Sequence, residues 1–347
     1  MSGNQLKTFP VTDTLKGFTI LIVLVNHFLN INIKGDSSGF ANSWIAVFFM
    51  LSGYGIFYSL DRCFSGDNKI SLNKIKRFYF QRATRIFPLL ILSCLGHLLV
   101  EGKLNGWTLL GIHGSGIYWF IPALIHCYLL SPFLYFSIKN KSVLSYLFIS
   151  FVFFAGNYLF LSGQLPSRII DFLDFLNFNW KNNYLLDIIV FFLAMHIPLW
   201  QKGKGSLKNK KNVMTIQIIT VLLFLLIFLE MVYVKYFFHI TDSYLHVLAE
   251  NMSIFLIMCF VVVCIRFEVH IRLVSFFGVL SYPLYLFHML FYGLVDKMTG
   301  ETQNSMPEIV LVVVLFPVFL YFCSKLEHAV TNQFSYRLKK DSSTRLA

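Results

Sequence analysis

Apolar runs long enough to cross a bilayer recur along almost the whole chain, and no other feature narrows its fold so far. A hydrocarbon core about 30 Å thick needs roughly 20 predominantly apolar residues in a helix. Runs of about that length lie at 15–33, 43–60, 83–100, 117–137, 143–162, 183–200, 213–234, 244–265, 274–295 and 307–325. They predict an all-α polytopic membrane protein of about ten transmembrane helices. With 56% hydrophobic and only 13% charged residues, the composition excludes a water-soluble globular domain.

The net charge of +12 raises the question of a nucleic-acid partner, but that requires a basic patch on a soluble face. Here the basic residues fall between apolar runs, so no nucleic-acid partner is expected and the charge reads as topology. Of the 29 Lys and Arg residues, 23 lie in or beside the N-terminus, the even-numbered connections and the C-terminal tail, and 6 lie in the odd-numbered connections. The positive-inside rule then puts both termini in the cytoplasm. Residues 1–330 are expected to form a single transmembrane domain and 331–347 a short basic cytoplasmic tail, with no appended soluble domain.

The six cysteines mostly sit inside apolar runs with no CxxC pair, which predicts small buried hydrophobes and no metal site. No small-residue cleavage site follows the first apolar run, so it is read as a retained helix. The absence of an evident internal repeat weakens a transporter reading.

Ionisable groups in hydrocarbon are costly and usually functional. His27 lies deep in the first run, eleven residues after Lys16. At about 100° and 1.5 Å per residue the two are about 20° apart around a helix and roughly 16 Å apart along it. They project from one face: a cation at the membrane rim and a titratable base three turns deeper. Such a pair suits a long anionic substrate entering end-on. The plainer alternative is an interhelical hydrogen bond for His27 and a Lys16 that snorkels to the interface.

Arg82 and Arg85 stand at i and i+3, at the expected cytoplasmic mouth of the third run. Guanidinium forks bind two phosphate oxygens in plane, although without further context a headgroup anchor is the plainer explanation. Asp187, Glu230, Glu250, Asp296, His97, His126 and His196 also fall in or near runs, and interhelical hydrogen bonds account for any one of them.

Several stretches together resemble the acyltransferase-3 family of integral-membrane acyltransferases. Leu15-Lys16-Gly17 followed by His27 resembles that family's Leu-Arg-Gly opening with a His eleven residues after the Arg. Phe48-Phe49-Met50-Leu51-Ser52-Gly53-Tyr54 is similar to its Phe-Phe-x-Leu-Ser-Gly-Phe stretch, and Arg82-Ala83-Thr84-Arg85-Ile86-Phe87-Pro88 to its Arg-x-x-Arg-Ile-x-Pro signature. Tyr118-Trp119-Phe120-Ile121-Pro122, Tyr128-Leu129-Leu130-Ser131-Pro132 and Ser281-Tyr282-Pro283-Leu284-Tyr285-Leu286-Phe287-His288 resemble further family stretches, all in family order. Two departures stand out. Lys16 keeps the charge of the family's Arg without its fork, and Ala123-Leu124-Ile125 stands where many relatives carry paired glutamates.

The resemblance implies a ten-helix domain of the cytoplasmic membrane that moves an acyl group, usually acetyl from cytosolic acetyl-CoA, to a hydroxyl of an envelope glycan or its lipid-linked precursor. Acetyl-CoA is then the acyl-donor co-substrate, with no metal. Arg82, Arg85 and Lys16 are expected to bind the donor phosphates, and His27 to act as general base on the acceptor hydroxyl. Asn26, Ser52, Tyr118, Trp119, Tyr282 and His288 are the pocket candidates. No carboxylate partner for His27 is legible, since Asp13 lies nearly four turns away. The rival is a carrier or flippase for an envelope glycan precursor, its path lined by the same groups.

Overall fold

The computed structural model describes residues 10–33, 38–64, 71–102, 119–139, 184–202, 243–299 and 306–343. Every regular element among them is a helix. In chain order they are α1 Pro10–Ile33, α2 Ser38–Phe64, α3 Leu72–Glu101, α4 Phe120–Lys139, α5 Tyr184–Ala194, α6 Ile197–Lys202, α7 Ser243–Arg266, α8 Arg272–Val279, α9 Ser281–Thr299 and α10 Met306–Ser343.

Five of them (α1, α2, α3, α4 and α10) carry stretches long and apolar enough to cross a membrane, and a sixth span arises if α8 and α9 make one bent crossing. The expected runs at 183–200 and 244–265 hold shorter apolar helices, Asp187–Leu199 and Ser253–Arg266. Those at 143–162 and 213–234 lie outside the described residues.

Two elements differ from the sequence expectation for identifiable reasons. The run at 274–295 is not one straight helix but α8 and α9, bent by 72°. Pro283 lacks the N–H that would bond the carbonyl four residues back, and its ring crowds that carbonyl. The carbonyl belongs to Val279, the last residue of α8. Helix α3 begins at Leu72, three turns before the apolar run expected from 83. It ends at Gly102, whose φ of 69° lets its N–H reach the Leu98 carbonyl at 2.9 Å.

Prolines inside membrane helices leave carbonyls that need another donor. Pro132 frees the Tyr128 carbonyl, and the Ser131 hydroxyl donates to it at 2.7 Å.

Without a hydrophobic drive between helices in lipid, close association depends on small residues and polar ties. The tightest contact joins α1 to α8, backbone against backbone. A Cβ on Gly17 would lie 1.9 Å from the Val274 carbonyl oxygen, and one on Gly278 1.7 Å from that of Asp13. Thr14 fastens the same crossing: its hydroxyl accepts from the Ile271 N–H at 3.1 Å, capping α8 from a neighbouring helix, and meets the Ser275 hydroxyl at 2.7 Å. Gly53 of α2 packs on α5 in the same manner, since a Cβ added to it would lie 2.1 Å from the Phe191 carbonyl oxygen.

Helices α3 and α9 run side by side in one direction and are tied at three heights. The Tyr282 hydroxyl donates to the Ile86 carbonyl at 2.7 Å, the Ser93 hydroxyl to the Leu286 carbonyl at 2.7 Å, and the Lys297 ammonium to the Val100 carbonyl. Deleting the middle tie in Ser93→Ala is expected to cost about 0.6 kcal/mol, the usual worth of such a bond in a membrane bundle. A detergent melting curve within about 3 °C of wild type checks it.

Helix α10 is peripheral. Phe319 stacks on Phe291 of α9 at 4.6 Å, while Val313, Val314, Val318 and Tyr321 face outward, as lipid contact requires. The tail expected from 331 continues this helix to Ser343. All six cysteines are free, and four of them are buried.

Candidate functional site

Residues from α1, α3 and α9 make two polar groups at different heights of the bundle. The deeper group centres on His27. Helix α1 is continuous from Pro10 to Ile33, so the face shared by Lys16 and His27 survives folding. His27 is half-buried and does not point away from the bundle: its ring lies 5.0 Å from that of His288 on α9, tilted by 39°.

His288 is 0% exposed. Its Nδ1 lies 2.7 Å from the carbonyl of Tyr285, and because a carbonyl only accepts, Nδ1 carries the proton. Its Nε2 is buried with no hydrogen-bond partner among the described residues. Leaving such an atom unpaired costs about 1–3 kcal/mol, so the arrangement is not one that packing alone would favour.

Tyr285 and Tyr292 wall the pair, with ring centres 6.0 and 6.1 Å from that of His288. The Tyr292 hydroxyl donates to the Leu24 carbonyl of α1 at 3.1 Å, which sets α9 against α1 at this height. His97, buried on α3 one residue beyond Gly96, lies within electrostatic reach of His288.

The second group is cationic. Lys16 bonds Asp13 at 3.3 Å and lies within electrostatic reach of Arg85 and Glu327. Arg82 is held on three sides. Its Nη2 donates to Ser59 Oγ of α2 at 2.6 Å, and its guanidinium lies over the rings of Phe78 and Tyr128, 5.4 and 5.9 Å from their centres. Its Nε is buried and unpartnered among the described residues. Arg85, one helical step around, is exposed.

Because α3 starts at Leu72, both arginines sit about 15–20 Å into the helix. The tie from Tyr282 to Ile86 holds the start of α9 beside them. Lys16 and Arg85 thus share one height, and His27, His97 and His288 share another.

The remaining candidates are placed less tightly. Asn26 is buried at 4% exposure beside His27, with no partner among the described residues. Trp119 is buried and touches Phe120 edge-on, and Phe120 in turn touches Tyr285, so Trp119 is two rings removed from His288. Ser52 is half-buried on α2, and no described contact ties it to the histidines. Tyr118 lies outside the described residues, as does Glu230.

His196 bonds the Phe192 carbonyl of its own helix at 3.1 Å, the plain role the sequence allowed. Among the described residues no cluster of three His, Cys, Asp or Glu side chains is arranged to hold a metal ion.

Sequence reasoning missed the residues that hold Arg82 and the carboxylates Asp13 and Glu327 beside the cations. Of these, Asp13 carried a local signal in its i, i+3 spacing to Lys16 and Phe78 in its i, i+4 spacing to Arg82.

No curated protein and no solved structure shows a significant match to the chain. The family model of the acyltransferase domain named Acyl_transf_3 matches residues 12–326, nearly its whole length, and takes in both polar groups. Helices long and apolar enough to cross a membrane and that match have one conclusion: the chain belongs to the acyltransferase-3 family and is a membrane acyltransferase.

Proposed function

We propose that the chain transfers an acyl group, acetyl in the simplest case, from cytosolic acyl-CoA to a hydroxyl of a cell-envelope polysaccharide or its lipid-linked precursor. The observation that carries this reading is the pairing of heights: cations Lys16, Arg82 and Arg85 at one level, and His27 about 16 Å further along the same helix as Lys16. That geometry suits a donor with a charged nucleotide end and a long arm. The guanidiniums receive the phosphates, and the arm runs along α1 toward His27.

His27 then takes the proton of the acceptor hydroxyl as its oxygen attacks the thioester carbonyl. The tetrahedral adduct collapses, the C–S bond breaks, and the leaving thiolate recovers the proton from the His27 imidazolium. The products are the ester and free CoA thiol, with no covalent enzyme intermediate. The distribution of Lys and Arg supports an orientation with both termini in the cytoplasm, where the donor is found.

Proteoliposomes carrying the protein are expected to release CoA thiol from acetyl-CoA only when envelope glycan is supplied, and the glycan to gain an ester-linked acetyl mass. Movement of glycan across the bilayer without thioester consumption would instead identify a carrier.

Arg85 is the exposed member of the cation group and the one least occupied by the protein's own contacts. Arg85→Ala is expected to raise the KM for acetyl-CoA about tenfold, the loss of one charge-assisted hydrogen bond, with kcat little changed. An unchanged KM would remove Arg85 from donor binding.

A further inference from the structure

We infer that His288 is the positioning partner of His27, a buried hydrogen-bond acceptor that orients the catalytic imidazole and shares the charge it gains. The inference rests on the acyl-transfer reading above and adds to it the group that sequence alone could not name.

The tautomer of His288 is fixed. The Tyr285 carbonyl holds its proton on Nδ1, so the neutral ring presents a lone pair at Nε2. That atom is fully enclosed, yet no described group donates to it. The hydroxyl of Tyr292, whose ring lies 6.1 Å from that of His288, is committed to the Leu24 carbonyl.

His27 is the ring next to it. Neither of its nitrogens has a hydrogen-bond partner among the described residues. Imidazole nitrogens lie about 1.1 Å from the ring centre, so rings 5.0 Å apart bring two nitrogens to about 2.8 Å, a full hydrogen bond, once they turn toward each other. Catalytic hydrogen bonds are commonly long before substrate binds and tighten in the complex.

The chemistry then divides between the two rings. One nitrogen of His27 accepts the proton from the acceptor hydroxyl, while the other, an N–H throughout, donates to His288 Nε2. His288 gains no proton and touches no substrate. It keeps His27 in the tautomer whose free lone pair faces the substrate, and it receives a stronger hydrogen bond when His27 becomes imidazolium. This is the task a carboxylate performs for other catalytic histidines, here given to a neutral acceptor. Among the described residues, His97 on α3 also lies within electrostatic reach of His288.

Two substitutions separate this role from packing. In His288→Asn the side-chain amide can still donate to the Tyr285 carbonyl, but nothing remains at the Nε2 position. His288→Gln puts an amide oxygen there and restores an acceptor. With acetyl-CoA and the envelope glycan of the producing cells as substrates, His288→Asn is expected to lower kcat about 100-fold at unchanged KM for acetyl-CoA, and His288→Gln about fivefold. Equal losses in the two variants, or no loss in His288→Asn, would overturn the pairing.

Nitrogen NMR of histidine-labelled wild-type protein in proteoliposomes gives a readout that needs no variant. A scalar coupling across an N–H···N bond between the His27 and His288 rings with acetyl-CoA bound is expected, and its absence overturns the proposal. His27→Ala is assayed alongside. If that variant turns over normally, the general-base reading fails. If it is inactive while His288→Asn is not, only the pairing fails.

Discussion

On the proposed mechanism, His27→Ala is expected to stop acyl transfer and to leave the protein in the membrane. General-base catalysis contributes about 10²–10⁴-fold, and without it the acceptor hydroxyl is too weak a nucleophile for the thioester, so CoA-thiol release is expected to fall about 1,000-fold or more. The fold should survive the change. His27 is half-buried, has no hydrogen-bond partner among the described residues, and leaves α9 still fastened to α1 through Tyr292 and Leu24. Size-exclusion chromatography in detergent should therefore give the wild-type profile. Thiol release and glycan acetylation at the wild-type rate would remove His27 from the chemistry.

Gly278→Ala has the opposite signature, a loss of fold before any loss of chemistry. The added methyl would sit 1.7 Å from the Asp13 carbonyl oxygen. That oxygen belongs to the backbone and has no rotamer to escape into, so α1 and α8 must separate. Overpacking a well-filled site costs roughly 1–3 kcal/mol when side chains can adjust, and here the cost belongs at or above that upper end. A drop of about 10 °C in the detergent melting temperature is expected. Gly55→Ala is the internal control. It lies on α2 with nothing within 4 Å of its added carbon, and it should melt with the wild type. If both variants melt alike, the α1–α8 contact is looser than described.

The same substitution bears on the donor group indirectly. Asp13 bonds Lys16, and Thr14 caps α8, so a displaced α1 start carries Lys16, one of the cations proposed to bind the donor, with it. On the proposed donor reading, a weakened affinity for acetyl-CoA is expected in whatever folded fraction remains.

Much of the bundle was legible because lipid imposes a simple rule. A run of apolar residues long enough to cross has to be a helix, and α1, α2, α4 and α10 lie where such runs were read. Elements that leave hydrocarbon are hidden from that rule. The first three turns of α3 are polar by composition, and what marks them as helix is a stripe of Ile75, Phe78 and Tyr79 facing inward, a 3.6-residue pattern that a search for uniform hydrophobicity passes over. The bend before α9 was visible in principle, since Pro283 stands four residues after Val279.

At the site, sequence could single out His27 by depth and Lys16 by registry, because both depend on one helix alone. It could not pair His27 with His288, which lies 261 residues further on, and proximity between separate helices leaves no periodic trace. Arg82 is a second case. Phe78 is its neighbour one turn back, but Ser59 and Tyr128 reach it from two other helices.

Three side-chain bonds rivet α3 to α9 at separate heights, and sliding either helix by a turn would break all of them together. The two helices behave as one beam, with the Arg82 guanidinium held at one height and the His288 imidazole at another. If the donor proposed above seats on that beam, its carbonyl meets a single depth. Arms shorter or longer than that of CoA would then stop above or below the histidines, and the bundle would gauge carrier length.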